Sequence, residues 1–568
     1  MAIYRADQVR LSIASETGLG GYVESVSRAT LLNATTINQT GGIVAGNRSV
    51  VLAATASYVV GDYVQIEASS AVNVEIRRIV RVDSSAETVF VDYPFGFNHA
   101  NGVAVARATA GAFTGTNYIT VLPGVYETIQ TPDLQPELIP QYYLKTTGDR
   151  NWSYIYQGKQ SFQGSLPNFI LLNGIPLRFP IGRIRTITTA VEATIITTSA
   201  AATRGDMTIV STNSVPSDAI VEDEYIVIDD AGINPEVRQV VAITIGGFDR
   251  TITLNYPLSF SHSSGVSLER VSSGTQNYTH TIIENSELDS LSWHLLLRDS
   301  DETVGNDFIR RFVGGVVNRA SISAEEGGLL RMSFDEVPFM DLVHNQTEHS
   351  SLAAGAMPKS SSALLAPPGI GNAIPSGGVG VLGTPAYPTT EPYYFSQGSL
   401  SLFGITFARV RRFSLSIQNG VTPRYYISDL GSSTRGPADM QEGRREYRLS
   451  ATIALPDSVL NTATTRTLWK ELILEGNYGS GMNGFQMQMT FIRGSNDTIT
   501  LVSPSAISAS AATPGTILAT PTTGFESQGC FFNSAPHPIG QESPIEINGE
   551  IIIRNLGIQI VDQIPIYI

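Results

Sequence analysis

The feature that most constrains this chain is an internal repeat. One copy reads Asp62-Tyr-Val-Gln-Ile66, then Glu75-Ile-Arg-Arg-Ile-Val-Arg-Val82, then Val89-Phe-Val-Asp-Tyr-Pro-Phe-Gly-Phe-Asn-His99, then Gly102-Val103. The other reads Glu224-Tyr-Ile-Val-Ile228, then Glu236-Val-Arg-Gln-Val-Val-Ala-Ile243, then Ile252-Thr-Leu-Asn-Tyr-Pro-Leu-Ser-Phe-Ser-His262, then Gly265-Val266. Order and spacing agree, which chance does not deliver over several blocks. Each block is short, rich in Val, Ile, Thr and Tyr, and alternates in polarity, as half-buried strands do. The repeat therefore predicts two copies of one small β barrel or sandwich, near 41–110 and 198–273.

Composition narrows the class further. A chain of 568 residues suggests about three or four domains. It is 42% hydrophobic and only 15% charged, where about 25% charged is usual. That excludes a disordered chain, and the texture excludes a coiled coil. The single Cys530 excludes an intrachain disulfide framework and a Cys-based zinc site. The net charge of −15 speaks against binding duplex DNA, which needs clustered Lys and Arg. So few charges beside so many apolar residues suggest a surface covered by partners. The opening Met1–Asp7 has no apolar segment of a secretory signal. Ser360–Thr390 and Thr498–Phe525 are charge-free but broken by Pro and Gly, so neither reads as a membrane span. The expectation is synthesis in a cytoplasm without Sec export.

The remaining sequence reads mostly as strand. Leu291, Trp293, Leu295 and Leu297 alternate with polar residues, as do Tyr447, Leu449, Ala451 and Ile453. Two short helices are expected. Pro167–Asn173 starts with Pro and stops at Gly174. Thr464–Glu475 carries Leu468, Trp469, Leu472 and Ile473 at helical spacing and stops at Gly476. Residues 353–394 are Pro, Gly, Ser and Ala and read as a long loop. A weaker duplication relates Arg310-Arg311-Phe312 and Asn318 to Arg411-Arg412-Phe413 and Asn419. It suggests two related β halves: 1–40 with 111–197 and 274–352, then 395–568. The class is all-β, mainly antiparallel, with two inserted and mutually homologous small modules.

Motifs for chemistry are absent or fail their context. Gly378-Val-Gly380-Val-Leu-Gly383 fits the dinucleotide pattern, but Pro375-Ser376 precedes it and Thr384-Pro385 follows, where a strand and a helix belong. His344 and His349 lack the spacing of a zinc helix. His99 and His262 fall at equivalent repeat positions, as turn histidines bonding within their own module would. Acids cluster at Glu284, Glu287, Asp289, Asp299, Asp301, Glu302 and Asp307. They read as solvated strand ends, as an acidic surface facing something anionic, or as a hidden glycosidase pair. Arg310, Arg311, Arg411, Arg412, Arg444 and Arg445 read as partners for carboxylates within or between subunits in preference to a phosphate clamp, which the acidic whole disfavours. No catalytic, cofactor or metal site is expected.

The order of features resembles the major tail tube protein of long-tailed, non-contractile bacteriophages. The residues that carry this are the opening Met1-Ala-Ile-Tyr-Arg-Ala-Asp7, Gly124-Val-Tyr-Glu-Thr128 and Leu166–Gly174. They continue with His280-Thr281 leading to Leu288–Leu297, then Phe312-Val-Gly-Gly315 with Ser321–Gly328. Phe413–Asn419, Glu442-Gly443 and Arg448–Ile453 match the second half. The likeness covers 1–40, 112–195 and 275–568, and the small modules look like decorations outside the tube. It implies a structural virion protein, not an enzyme, that forms stacked rings by closing strands of neighbouring subunits into one barrel. It implies assembly with terminator, tape measure and distal tail proteins, and no membrane or cofactor. Genome DNA would pass through an acidic lumen without specific binding, and Glu284–Asp307 is the candidate lining. Two tube-type halves per chain would give a trimer with pseudo-six-fold symmetry, one would give a hexamer, and the trimer is favoured. The alternatives are a distal tail or receptor-binding component and a tail-associated glycan hydrolase.

Overall fold

The computed structural model describes all residues except 1–8, 17–24, 29–30, 45–46, 48, 61–62, 67–74, 92–94, 96–97, 109–117, 123–125, 129–134, 146–153, 190, 213–219, 223, 231, 247–248, 273–275, 298–307, 345–379, 383–390, 403–404, 408–409, 427–436, 455–485, 495–496, 504–505, 508–516, 519–528, 535–545 and 568. The described residues form an all-β protein whose strands pair almost entirely antiparallel.

The main body is a sandwich of two sheets. One has eight strands in the order Gln135–Lys145, Tyr154–Ile170, Arg331–Phe339, Arg319–Glu325, Val410–Gln418, Glu446–Ala454, Glu546–Ile553, Cys530–Ser534. The other has seven, in the order Gly182–Ile187, Tyr278–Glu284, Gly557–Asp562, Asp497–Ser503, Met487–Arg493, Gly398–Leu402, Ile405–Phe407. Period-2 alternation makes this geometry. In Val410–Gln418, Phe413, Leu415 and Ile417 are buried while Ser414, Ser416 and Gln418 are exposed. Tyr447, Leu449, Ala451 and Ile453 repeat the pattern on the next strand, and all seven join one core cluster. From the opposing sheet Ile184, Ile282, Ile499, Leu501, Ile558 and Ile560 enter the same cluster. A five-stranded sheet, containing Val9–Ser15 and Leu291–Leu297, adds Ile13, Leu291 and Trp293 to it.

The repeated segments share one topology. In the first copy the path runs Leu31–Thr36, Ala104–Ala108, Tyr63–Ile66, Glu75–Asp83, Thr88–Val91, Ser49–Val51. A bridge between Ile37 and Leu52 joins its two ends. In the second the path runs Val191–Thr197, Ser267–Val271, Tyr225–Ile228, Glu236–Gly246, Asp249–Leu254, Thr208–Thr212. A bridge between Thr198 and Ser211 joins its ends. Each is a six-stranded barrel, and closure leaves few free edges. Each has its own apolar cluster, one spanning Ile37 to Val105 and the other Ile196 to Leu268.

Both barrels sit at the tip of a hairpin. The second leaves the sandwich at Ile187 and returns at Thr279, and these two residues are paired neighbours. The first leaves from Val9–Ser15, which pairs with Tyr126–Thr128, and continues through a stalk of Ser25–Arg28 paired with Tyr118–Leu122. Gly380–Leu382, inside the 353–394 segment, pairs in parallel with that stalk strand and with Glu75–Asp83.

Two expectations change and a third is untested. Pro167–Asn173 is not a helix. The strand Tyr154–Ile170 runs through Pro167 with shifts of register around Leu166 and Phe169. Asn168 absorbs the irregularity at φ 51°, a conformation Asn tolerates. The strand thereby buries Leu166 and Phe169, and a single 3-10 turn follows at Ile175–Arg178. The Thr464–Glu475 helix lies outside the described residues. The duplication of Arg310–Phe312 onto Arg411–Phe413 does not mark equivalent strands. Phe308–Gly315 belongs to the five-stranded sheet and Val410–Gln418 to the eight-stranded one.

The two repeat histidines are buried and bridged alike, His99 to Ile43 and His262 to Ala202. Around His262 the side chains are defined. Its Nε2 lies 2.6 Å from Glu236, which also pairs with Arg238 at 2.5 Å and accepts from Ser259 N–H. Burial alone favours a neutral ring, but the carboxylates of Asp229 and Glu236 outweigh it and raise the His262 pKa to about 9. The imidazolium therefore stabilises the module fully below the unfolded value of about 6.5, and that contribution is lost as pH rises through about 9. The expected result is alkaline softening of this barrel, read as faster amide exchange in 252–268 above pH 9. A His262→Gln variant should be softer at neutral pH and show no such step. Identical pH profiles would refute this.

Candidate functional site

Two features of the eight-stranded sheet are candidates: its outward polar face and its open edges. The face follows from alternation. Opposite the buried rows lie Ser321 and Ser323, Ser414 and Ser416, Ser450, Asn548 and Glu550. Charges at the strand ends are mostly compensated. Arg319 meets Glu336 at 3.3 Å, and Arg448 meets Glu550 at 3.3 Å and Glu446 at 3.7 Å. Arg411 meets Glu546 at 2.5 Å and Glu326 at 3.3 Å. Such exposed pairs add little to stability because water screens them, but they cancel charge locally.

The edges are Gln135–Lys145 on one side and Cys530–Ser534 on the other. Between them the strand order repeats. The first four strands in chain order are Gln135–Lys145, Tyr154–Ile170, Arg319–Glu325 and Arg331–Phe339, laid side by side as first, second, fourth, third. The last four are Val410–Gln418, Glu446–Ala454, Cys530–Ser534 and Glu546–Ile553, laid side by side in the same permutation. The two halves meet at an antiparallel seam in which Arg319–Glu325 pairs with Val410–Gln418, Arg319 opposite Gln418 and Glu325 opposite Arg412. Open edges of this kind are templates for pairing with another chain.

The acids singled out from sequence scatter. Asp289 is buried, and its carboxylate lies 2.5 Å from Arg178, 3.2 Å from Arg204 and 3.5 Å from Arg183. Burial would raise its pKa, but the three guanidiniums hold it below the usual carboxylate range. Asp289 is thus an interior charge, not a solvated one, and Arg204 ties the second barrel to the sandwich through it. Glu284 accepts from the Leu556 N–H. Glu287 is exposed, 3.8 Å from Arg183. Asp299, Asp301, Glu302 and Asp307 lie outside the described residues.

The arginines also differ in role. Arg445 is turned inward and donates to Asn419 and to the carbonyls of Ile181 and Asn285. Arg444 is exposed, 3.8 Å from Glu446. Arg411 pairs within the chain. Arg412 donates to Thr452. Arg310 and Arg311 sit opposite His344 and Val343 on the five-stranded sheet. The sequence does not single out Arg319, Arg331 and Arg448 as site residues. The strict alternation of Phe413–Gln418 and Glu446–Ile453 was the signal that could have located this face.

Among the described residues no group of His, Cys, Asp and Glu is arranged to hold a metal ion. The family model of the phage tail tube protein matches residues 94–550, most of the chain. The chain belongs to the phage tail tube protein family. No curated protein matches it. Membership makes it a structural component of the virion tail, and tail tube proteins assemble with copies of themselves and with other tail proteins. No described helix is long and apolar enough to cross a membrane.

Proposed function

We propose that this tail tube protein closes into rings of three chains, which stack into the conduit for genome DNA of a long, non-contractile tail. One observation carries this reading: the strand order of the eight-stranded sheet is the same four-strand unit used twice. If the unit repeats around an axis, the internal seam is the template for the external one. Cys530–Ser534 of one chain then pairs with Gln135–Lys145 of the next, as Arg319–Glu325 pairs with Val410–Gln418. Three chains close a barrel of 24 strands, eight from each, with no edge left exposed. The contact is head-to-tail, so rotation must close it.

The polar face of that sheet becomes the lumen wall in this reading. It takes the place of Glu284–Asp307, whose described members lie on or beside the other sheet or are buried. Hydroxyls and compensated ion pairs suit a wall past which DNA slides without specific binding. The two barrels stand outside the tube; the 353–394 segment, the candidate for contact with the next ring, lies mostly outside the described residues. Terminator, tape measure and distal tail proteins are the further partners.

Electron microscopy with mass photometry on the purified protein tests this. Rings of about 183 kDa, three times 61.0 kDa, are expected, stacked into hollow tubes. Rings of twice that mass would replace the trimer by a hexamer. A sample without rings, even when seeded with tails, would sink the reading.

A further inference from the structure

The polar face carries two arginines unlike the others. Arg331 donates to the Asn168 carbonyl at 3.0 Å, and Arg412 donates to the Thr452 hydroxyl at 3.1 Å. Among the described residues neither meets a carboxylate, whereas Arg319, Arg411 and Arg448 each do. Both unpaired arginines line one cavity of about 510 Å³ beside the seam, with Asn168, Ser323, Glu325 and Gly328. A second cavity of similar size adjoins it and shares Arg412 and Glu325, with Glu326, Arg411, Thr452 and Glu546 on its walls. Register explains the convergence. Ser323 stands opposite Arg331 on one side and Ser414 on the other, and Glu325 stands opposite Arg412. Glu325 is therefore the acid nearest Arg412 in register, yet forms no ion pair with it. Glu326 and Glu546 are taken up by Arg411.

We infer that Arg331 and Arg412 form a phosphodiester contact on the conduit wall. This rests on the reading that the polar face lines the lumen. A guanidinium whose only hydrogen bond is to a neutral oxygen keeps donors free, and its planar fork matches the two oxygens of a phosphate. Ser323 adds a hydroxyl donor. The site holds about two phosphates at most, and Glu325 opposes tight binding. The contact is thus weak, independent of sequence and sensitive to salt. Repeated around and along a tube, it would slow passing DNA without arresting it.

The test is fluorescence anisotropy of a short labelled DNA duplex titrated with the full chain, as subunits and as tubes, and electron microscopy of the same samples. With two phosphates neutralised, affinity should fall about 12-fold between 50 and 200 mM salt, from a slope of roughly −1.8. The double variant Arg331→Ser with Arg412→Ser should form tubes as the parent does but lose that binding and flatten the slope by about 2. Arg331→Lys with Arg412→Lys should retain part of it. Undetectable binding by the parent, or unchanged binding by the Ser variant, would overturn the inference. So would a polyglutamate chain that competes as well as duplex, because the site would then accept any anion. A parent that forms no tubes would instead defeat the tube reading.

Discussion

Replacing Asp289 by Ala is expected to destabilise the protein by about 3–5 kcal/mol. The carboxylate is 2% exposed and faces three guanidiniums. Arg178 is itself almost fully buried. Removing the acid leaves like charges confined together with no counter-ion, and water cannot reach Arg178 to relieve them. The loss has a location as well as a size. Arg204 comes from the second barrel and Arg178 and Arg183 from the sandwich, so the barrel should loosen first. Limited proteolysis should then cut near 188–191 or 272–278 before global unfolding. Asp289→Asn keeps the shape and one acceptor but not the charge, and should fall between parent and Ala. An Ala variant that melts within about 1 °C of the parent and resists protease would refute the role of this cluster.

The second large effect is at Trp293, where Ala should cost about 3–5 kcal/mol. The indole is fully buried, with its ring centroid 4.7 Å from that of Phe339 and 6.5 Å from that of Phe312. It lies across Gly164, where an added Cβ would stand 2.3 Å from the ring. That contact explains a glycine in the interior of a strand. It also sets a paired expectation: Gly164→Ala should cost about 1–3 kcal/mol by overpacking. In the double variant the void and the methyl partly cancel, so the two losses should fall short of additive. Trp293→Phe should retain much of the stability, because the indole N–H finds no hydrogen-bond partner among the described residues. Chemical denaturation of the four proteins reads this directly. Strict additivity would show that Gly164 and Trp293 do not share one space.

Legibility differed by the kind of signal. The small modules were visible because two copies stand in one chain, so spacing could be compared with spacing. The inward rows of the sandwich were visible where alternation is unbroken, as at Tyr447–Ile453. Pro167–Asn173 misled because Pro, an apolar run and a terminal Gly also describe a helix. Only the partner strand Arg331–Phe339 settles it, and its register shifts are set by pairing at long range. The acids misled for a similar reason. A cluster in sequence says nothing of depth, and Asp289 is interior because Arg178, 111 residues away, comes to it. The polar face went unread because its residues are common ones. Only the order of eight strands assembles Ser321, Ser416 and Arg448 into a surface.

The hairpins that carry the barrels have a consequence for how such a chain can change. Ile187 and Thr279 stand in direct register, so the chain enters and leaves the second barrel as two ends one strand spacing apart. Closing those ends over a long insert costs little more than over a short one, since the entropic term grows only with the logarithm of length. A folded unit with adjacent termini, or a tight turn, therefore meets the closure requirement equally well there, but it would have to replace the packing of Val227, Val237 and Val271 on Tyr278 and Ile566, the Thr186 N–H bond to the Pro235 carbonyl and the Arg204 tie to Asp289. The same closure argument applies at the stalk of the first barrel, where Gly380–Leu382 also pairs with Tyr118–Leu122 and with Glu75–Asp83. These are sockets, and a foreign domain could be seated in either one once the few contacts the barrel makes with its surroundings are replaced.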